Sequence, residues 1–222
     1  MIITWHGFSC FKIQTKNQDR EVTIVTDPFD SSGGIKMPRN MAADVVAISH
    51  KHAMHSNTAD VASLNGAKKP FIIDIPGEYE VGGTFIYGIK SVHDEKEGKE
   101  RGSNIVYRFE TEGISVVHLG DLGRAISPEE KEKLENIYIL MVPVGGGTTL
   151  SLKAMVEIVG ELEPRIVIPM HYKLPEIKTP LEPVEKFLRE LGVGKREAEN
   201  KLKISKKDLP IDDMRVVVLD RV

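Results

Sequence analysis

Short β-branched and aromatic runs, broken by glycine and polar turns, fill the first half of the chain. Residues 1–5, 10–15 and 21–26 predict three strands, joined at Gly7 and across the polar stretch 16–20. Such a meander opens the sheet antiparallel. Asp27-Pro28-Phe29 stops the third strand, because proline has no N–H to give a ladder, and residues 30–40 read as a loop. Residues 45–48 and 71–74 predict two buried strands, with one or two helical turns over 59–64 between them. A hairpin is predicted through Gly82-Gly83, joining 79–81 to 84–89. A second is predicted through Glu112-Gly113, joining 105–110 to 114–119. Residues 93–102 form a charged loop.

The period then changes. Ser127 and Pro128 begin a helix over 128–134, with serine as cap and proline in the first turn. Leu152, Met155, Val156, Val159 and Leu162 share one helical face, so 152–162 is amphipathic. Residues 181–191 predict a second such helix, ended by Gly192 and Gly194. Apolar strands at 138–142 and 165–170 alternate with these helices, 195–213 has no clear pattern, and 214–220 predicts a last strand. Hairpins followed by strand–helix alternation, with no repeat or linker, imply one α+β domain over 1–222.

The 222 residues suffice for a full core, and the 41% hydrophobic and 28% charged content is that of a globular chain. A net charge of -3 gives no general attraction to nucleic acid or anionic membrane. There is no signal-peptide pattern and no run of membrane-spanning length. A single cysteine, Cys10, excludes an internal disulfide and fits a reducing, cytoplasmic setting. Cys10 lies in an apolar strand and reads as a buried thiol rather than a nucleophile.

Three histidines, His50, His52 and His55, follow the 45–48 strand at once. In an extended segment His50 and His52 point the same way, and His55 returns to them if the chain then turns. Imidazoles aimed from a strand end at one point can hold a metal, although three histidines on a wet loop have the same spacing. His93, Asp121, His171 and Asp27 also follow predicted strands, and they reach the cluster only if those strands share a sheet edge.

The ordered series Ile3-Thr4-Trp5-His6-Gly7-Phe8-Ser9-Cys10-Phe11, Thr26-Asp27-Pro28-Phe29, Pro76-Gly77-Glu78-Tyr79-Glu80, Val117-His118-Leu119-Gly120-Asp121-Leu122-Gly123, Val142-Pro143-Val144-Gly145-Gly146 and Ile168-Pro169-Met170-His171-Tyr172 spans nearly the whole chain. It resembles the metallo-β-lactamase fold of metal-dependent hydrolases, and most of all the branch of ascorbate-6-phosphate lactonase-like proteins. The resemblance implies a four-layer αββα sandwich with metals at one edge. It implies a first divalent metal on His50, His52 and His93, a second on His55 and His171, and Asp121 bridging both. Zinc is the first expectation, with manganese or iron as alternatives, one or two per chain. Asp121 and His171 are the candidates for catalytic proton transfer.

Two positions depart from the family pattern. The signature H-x-H-x-D-H has Met54 in place of its aspartate, and a thioether is a soft, uncharged donor that offsets no metal charge. The second site is therefore expected to be weak or empty. Phe8 stands where relatives carry the histidine of Gly-His-Ser, and His6 beside it reads as a surface or core residue. His118 reads as a core histidine behind the site. Asp27 reads either as a hydrogen-bond partner of a ligand histidine or as a turn cap. Glu78 is a weak substitute for the missing carboxylate. Residues 145–149 are either an anion-binding turn or a flexible turn with a threonine cap. Lys51, Arg101, Tyr172 and Lys173 are candidate donors to a phosphate.

The expected activity is metal-assisted attack of water on an ester, lactone or phosphoester of a small molecule, with an anionic one as a candidate. The alternative is a degenerate member that binds metal or ligand as a sensor or scaffold. No nucleic-acid or membrane partner is expected, and a homo-oligomer is compatible with either reading.

Overall fold

The computed structural model describes residues 1–17 and 20–222. The turn predicted over 16–20 includes residues 18 and 19, which lie outside the described residues. In the first half, β1 (Ile2–Gly7), β2 (Cys10–Asn17) and β3 (Arg20–Thr26) form the expected antiparallel meander. Next come β4 (Ala42–Ala43), β5 (Val45–Ala47), β6 (Ala62–Ser63) and β7 (Phe71–Ile73). β5 joins β3 in parallel and β7 joins β5, while β4 and β6 make a separate pair. The helical turns predicted over 59–64 are a 3-10 turn, Thr58–Asp60, followed by β6. Backbone pairing of Ala62 and Ser63 with Ala42 and Ala43 prevails over the weak local helix signal.

The second half builds another sheet from β8 (Gly77–Val81), β9 (Thr84–Val92), β10 (Ser103–Thr111), β11 (Ile114–His118), β12 (Ile139–Pro143) and β13 (Ile166–Met170). Two short strands complete the set. β14 (Leu202–Lys203), which had no sequence signal, pairs with β1, and β15 (Arg215–Val216) pairs with β13. The six-stranded sheet runs β14-β1-β2-β3-β5-β7 and the seven-stranded sheet β15-β13-β12-β11-β10-β9-β8.

Alternation divides the residues of the first sheet. Phe11, Ile13, Ile24, Val45 and Ala47 belong to the main core with the second sheet, whereas Cys10, Val25 and Val46 join a separate cluster with Phe29, Ile35, Met41 and Ile177. Loops and 3-10 turns supply that outer cover. Helices α1 (Pro128–Lys133), α2 (Leu152–Leu162) and α3 (Val184–Glu190) all follow strands of the second sheet. The metallo-β-lactamase sandwich is thus present, with sparse helical layers. The Ser127 cap forms the reciprocal box with Glu130. α3 starts later than predicted because Pro183 sits at its N-cap. α2 is capped by Ser151, not by a threonine of the 145–149 turn. No helix among the described residues is long and apolar enough to cross a membrane.

Polar bonds tie the sheets at both ends. The Tyr107 hydroxyl lies 2.9 and 2.8 Å from the carbonyl oxygens of Ile48 and Ile73, which share its one proton, and burial pushes its pKa up. At the far end Thr15 Oγ1 and Thr111 Oγ1 lie 2.6 Å apart.

Strand direction then places the candidate residues. β9 and β11 both run antiparallel to β10, and β11, β12 and β13 are mutually parallel. β9, β11 and β13 therefore end at one edge, which delivers His93, Asp121 and His171 there. β3 and β5 are parallel to each other and bring Asp27 and the His50–His55 turn from the other sheet.

Candidate metal centre

The cluster is built by turns rather than by an extended segment. β5 ends at Ala47, and the chain folds back through His52 N to His50 O (3.1 Å) and His55 N to His52 O (2.8 Å). This corrects the extended geometry expected for His50 and His52. Three sets of side chains offer ligand atoms within 4.8 Å of one another: His50, His52 and His55; His50, His93 and Asp121; and His55, Asp121 and His171. Asp121 is shared by two sets, as a bridging residue would be. His52 is exposed, and its ring centroid lies 6.1 Å from that of His50. His52 and His93 share no set, although both were assigned to the first metal.

Asp121 is the centre of this geometry. Its Oδ2 lies 3.5 Å from His55 Nε2, 3.6 Å from His93 Nε2 and 3.5 Å from His171 Nε2. These contacts are at or beyond the limit of a hydrogen bond. His55 Nε2, His93 Nδ1 and both nitrogens of His171 are buried without any hydrogen-bond partner. Buried polar atoms are nearly always satisfied, so this concentration of unpartnered imidazoles around one carboxylate oxygen fits a divalent cation. The donor set of neutral nitrogen and carboxylate oxygen suits zinc, manganese or iron(II).

The electrostatics agree. Burial opposes ionisation of Asp121, but His171, His55, His50 and His93 outweigh it and hold the carboxyl well below the usual carboxylate range. Burial, reinforced by His55, pushes His50 down to about 3. Burial also lowers His93 and His171 against the pull of Asp121. Neutral imidazole is the form that ligates metal. His55 goes the other way: burial lowers it, but Asp121 and the bond to Asp27 together raise it.

Asp27 resolves as a hydrogen-bond partner of the candidate histidines. It is fully buried and accepts from Ser49 N at 2.7 Å, from Ser49 Oγ at 2.6 Å and from His55 Nδ1 at 3.0 Å. Ser49 Oγ in turn lies 3.0 Å from His50 Nδ1. With the serine proton given to Asp27, His50 Nδ1–H donates to Ser49, and Nε2 of both His50 and His55 is left as a lone pair. Burial opposes the Asp27 charge, yet His55 and its neighbours hold the carboxyl low.

His118 accepts from Gly120 N at Nδ1 (3.1 Å), so its Nε2–H donates to Ser9 O (2.8 Å), as a core histidine behind the site. His6 lies beside the C-terminal Val222, with Nδ1 2.9 Å from its carbonyl oxygen, and belongs to no ligand set. Glu78 is exposed on β8 and belongs to none either. Tyr172 bonds the Leu219 carbonyl, and Lys173 bonds the carbonyls of Ile177 and Thr179. Their donors serve the fold, which leaves Lys51 and Arg101 of the four candidates. Cys10 is fully buried.

Met54 belongs to none of the ligand sets. Its sulfur lies 3.9 Å from Thr179 Oγ1, and its side chain packs on the cluster of Phe8, Phe29 and Ile35. The Phe8 ring sits 5.8 Å from that of His171. Phe8, Asp27 and His171 all have left-handed φ, at 46°, 40° and 55°. Non-glycine residues rarely adopt this region outside constrained sites.

Several supporting roles carried no sequence signal. Asn104 donates to Leu119 O (2.9 Å) and accepts from Asp121 N (3.1 Å). Asp94 accepts from the backbone N–H groups of Lys96, Gly98, Glu100 and Arg101 at 2.7–3.1 Å and so closes the loop after His93. Glycines make room for the ligand backbones. A Cβ on Gly123 would lie 2.1 Å from the His93 carbonyl carbon, and one on Gly145 would lie 2.1 Å from His171 O.

Comparison with known proteins agrees with this geometry. A family model for the β-lactamase superfamily domain matches residues 2–171. A UPF0173 protein from Pyrococcus abyssi is 31% identical over 194 residues, 78% of this chain and 83% of that protein. A UPF0173 metal-dependent hydrolase from Thermococcus onnurineus is 29% identical over 174 residues, 67% of this chain and 76% of its own. A solved Thermotoga maritima structure, whose name proposes a Zn-dependent hydrolase of the metallo-β-lactamase superfamily, is 38% identical with a TM-score of 0.77, covering 98% of this chain and 97% of that one. The matched model begins in β1 and ends on His171, the last residue of the cluster, and the chain belongs to the metallo-β-lactamase superfamily, within its UPF0173 family.

Proposed function

We propose that residues 1–222 act as one cytoplasmic domain, a metal-dependent hydrolase that opens an ester, lactone or phosphoester of a small molecule. The observation that carries this reading is the set of three imidazole Nε2 atoms 3.5–3.6 Å from the single buried oxygen Asp121 Oδ2. His50, His52 and His93 would hold a first cation, His55 and His171 a second, and Asp121 would serve both. A bound divalent cation, zinc first and manganese or iron in its place, supplies Lewis acidity and lowers the pKa of water.

The chain's own residues do the rest. Asp27 and Ser49 fix the tautomers of His50 and His55, so that their Nε2 lone pairs face inward. With Met54 in the signature position no second carboxylate offsets a second cation, and we assign the His55–His171 side as the weaker site. Where that side is free, Asp121 Oδ2 or His171 Nε2 would take a proton from attacking water. A lactone is favoured among the substrates by the motif likeness to ascorbate-6-phosphate lactonase-like proteins.

Met54 also supports a second reading, a degenerate member that binds metal or ligand without turnover. Elemental analysis of wild type and Met54→Asp, with a screen of esters, lactones and phosphodiesters, separates the two. One metal per chain in the wild type, two in Met54→Asp, and turnover abolished by His50→Ala is the expected result. A wild type that takes up metal but turns over nothing in the screen supports the second reading. No metal uptake after reconstitution overturns the hydrolase reading.

A further inference from the structure

A cavity of about 610 Å³ opens beside His50, the half-buried member of the cluster. That volume falls in the range of small-molecule sites, roughly 300–1,000 Å³, and is too small for a macromolecular partner. Three cations from separate segments line it: Lys51 next to His50, Lys90 on β9, and Arg101 at the end of the Asp94 loop. Lys51, Lys90 and Arg101 have no carboxylate within ion-pair distance among the described residues. The Arg101 guanidinium makes one polar contact, donating to the Thr148 carbonyl at 3.3 Å, and the Arg101 backbone N–H donates to Asp94 Oδ2 at 2.7 Å. Asp74 is the one carboxylate on the lining, so the cavity carries an excess of positive charge on a chain of net charge -3.

The same cavity has an apolar wall. Ile75 is 63% exposed, one of few large hydrophobic side chains left in solvent, and it stands beside Pro76 on the lining. Unpaired cations and an exposed isoleucine on one lining, next to a cluster that can hold a metal, describe a site for one kind of molecule.

We infer that this cavity is the substrate pocket, and that it takes a small organic anion whose carboxylate or phosphate head meets Lys51, Lys90 and Arg101 while an apolar segment lies on Ile75 and Pro76, with the scissile bond at His50. The assignment rests on the hydrolase reading for the scissile bond, but not for the anion site itself. Carboxylate and phosphate present the same charged oxygens to these side chains, and both attractions weaken with salt.

The test reads binding rather than turnover. Zinc-loaded protein is titrated calorimetrically with three anilides that resist hydrolysis: N-phenylsuccinamic acid, 3-phosphonopropananilide and the neutral butyranilide. The expected result is that at least one anionic anilide binds about tenfold more tightly than butyranilide, with the preference shrinking as salt rises. The double variant Lys90→Ala/Arg101→Ala should lose that preference while keeping its zinc content, and Lys90→Arg should retain it. The tighter of the two anions identifies the head group. Equal binding of all three anilides, no binding of any, or a preference that survives in the double variant overturns the proposal; the last result would mean that the anion sits on the metal instead. Absence of turnover in the ester screen counts against the hydrolase reading and leaves this measurement unaffected.

Discussion

Gly123→Ala should disable the candidate metal cluster without replacing any of its residues. Gly123 N–H donates to Val92 O at 3.0 Å, so the chain after Asp121 runs directly against the strand end that carries His93. An added Cβ would stand 2.1 Å from His93 C, 2.2 Å from Asp94 N and 2.3 Å from His93 O. Ordinary contact begins near 3.4 Å, so the two backbones must separate by about 1.3 Å. All three neighbours are backbone atoms, so no side-chain rotation can relieve the clash. Metal–ligand distances tolerate only about 0.2 Å, and loss of a group that orients a ligand typically costs 10–100-fold in affinity. We expect zinc affinity to fall by at least that factor. Overpacking of this kind costs about 1–3 kcal/mol, which at roughly 2–4 °C per kcal/mol for a chain of this size lowers Tm by several degrees. A competition titration against a chromophoric chelator, run well below Tm, reads the affinity. Wild-type zinc affinity in Gly123→Ala would refute the reasoning, because it would mean that His93 does not depend on this packing.

The control for that variant is itself a prediction. Gly160 lies within α2 with nothing within 4 Å of an added Cβ, so Gly160→Ala should raise stability by about 0.5–1 kcal/mol in denaturant melts and leave zinc binding alone. Asp27→Asn keeps an acceptor for Ser49 but removes the charge that faces His55; zinc should bind about 10–100-fold more weakly with the far-UV spectrum unchanged, and undiminished affinity would rule out the positioning role. Burial drives the Cys10 thiol well above its ordinary value of 9.0. Its stabilising share is present below that ordinary value and is lost as pH rises above it toward the folded value. A disulfide reagent at pH 8 should therefore find no thiol in the folded protein and one equivalent after unfolding, and rapid labelling of the native chain would contradict the burial.

What was legible in the sequence was local. Gly82-Gly83 and Glu112-Gly113 marked both hairpins, and Ser127-Pro128 marked a helix start, because each signal lies within a few residues of its effect. The ligand candidates were legible as polar residues that follow apolar strands. Their convergence was legible only through the family resemblance, since in the residues themselves it depends on the shared direction of β9, β11 and β13, which only pairing reveals. Asn104 and Ser49 support the site through bonds to residues distant in sequence or through a chain of three side chains. Asp94 looked like one more charge in a mixed-sign loop, yet its carboxylate organises that loop through backbone donors. β14 is two residues long and exists only because β1 offers an open edge.

The cluster draws on both sheets: His50 and His55 leave the first, while His93, Asp121 and His171 leave the second. A cation held among them is thus a cross-link between the halves of the sandwich as well as a reagent. Free metal at 100 times its dissociation constant adds about 2.7 kcal/mol to the folded state, a large share of the 5–15 kcal/mol that typical domains possess. Copies that lack metal would open more often and be the first to reach a protease. The joint between the sheets would then act as an inspection step, under which the surviving population in a cell is enriched in loaded molecules.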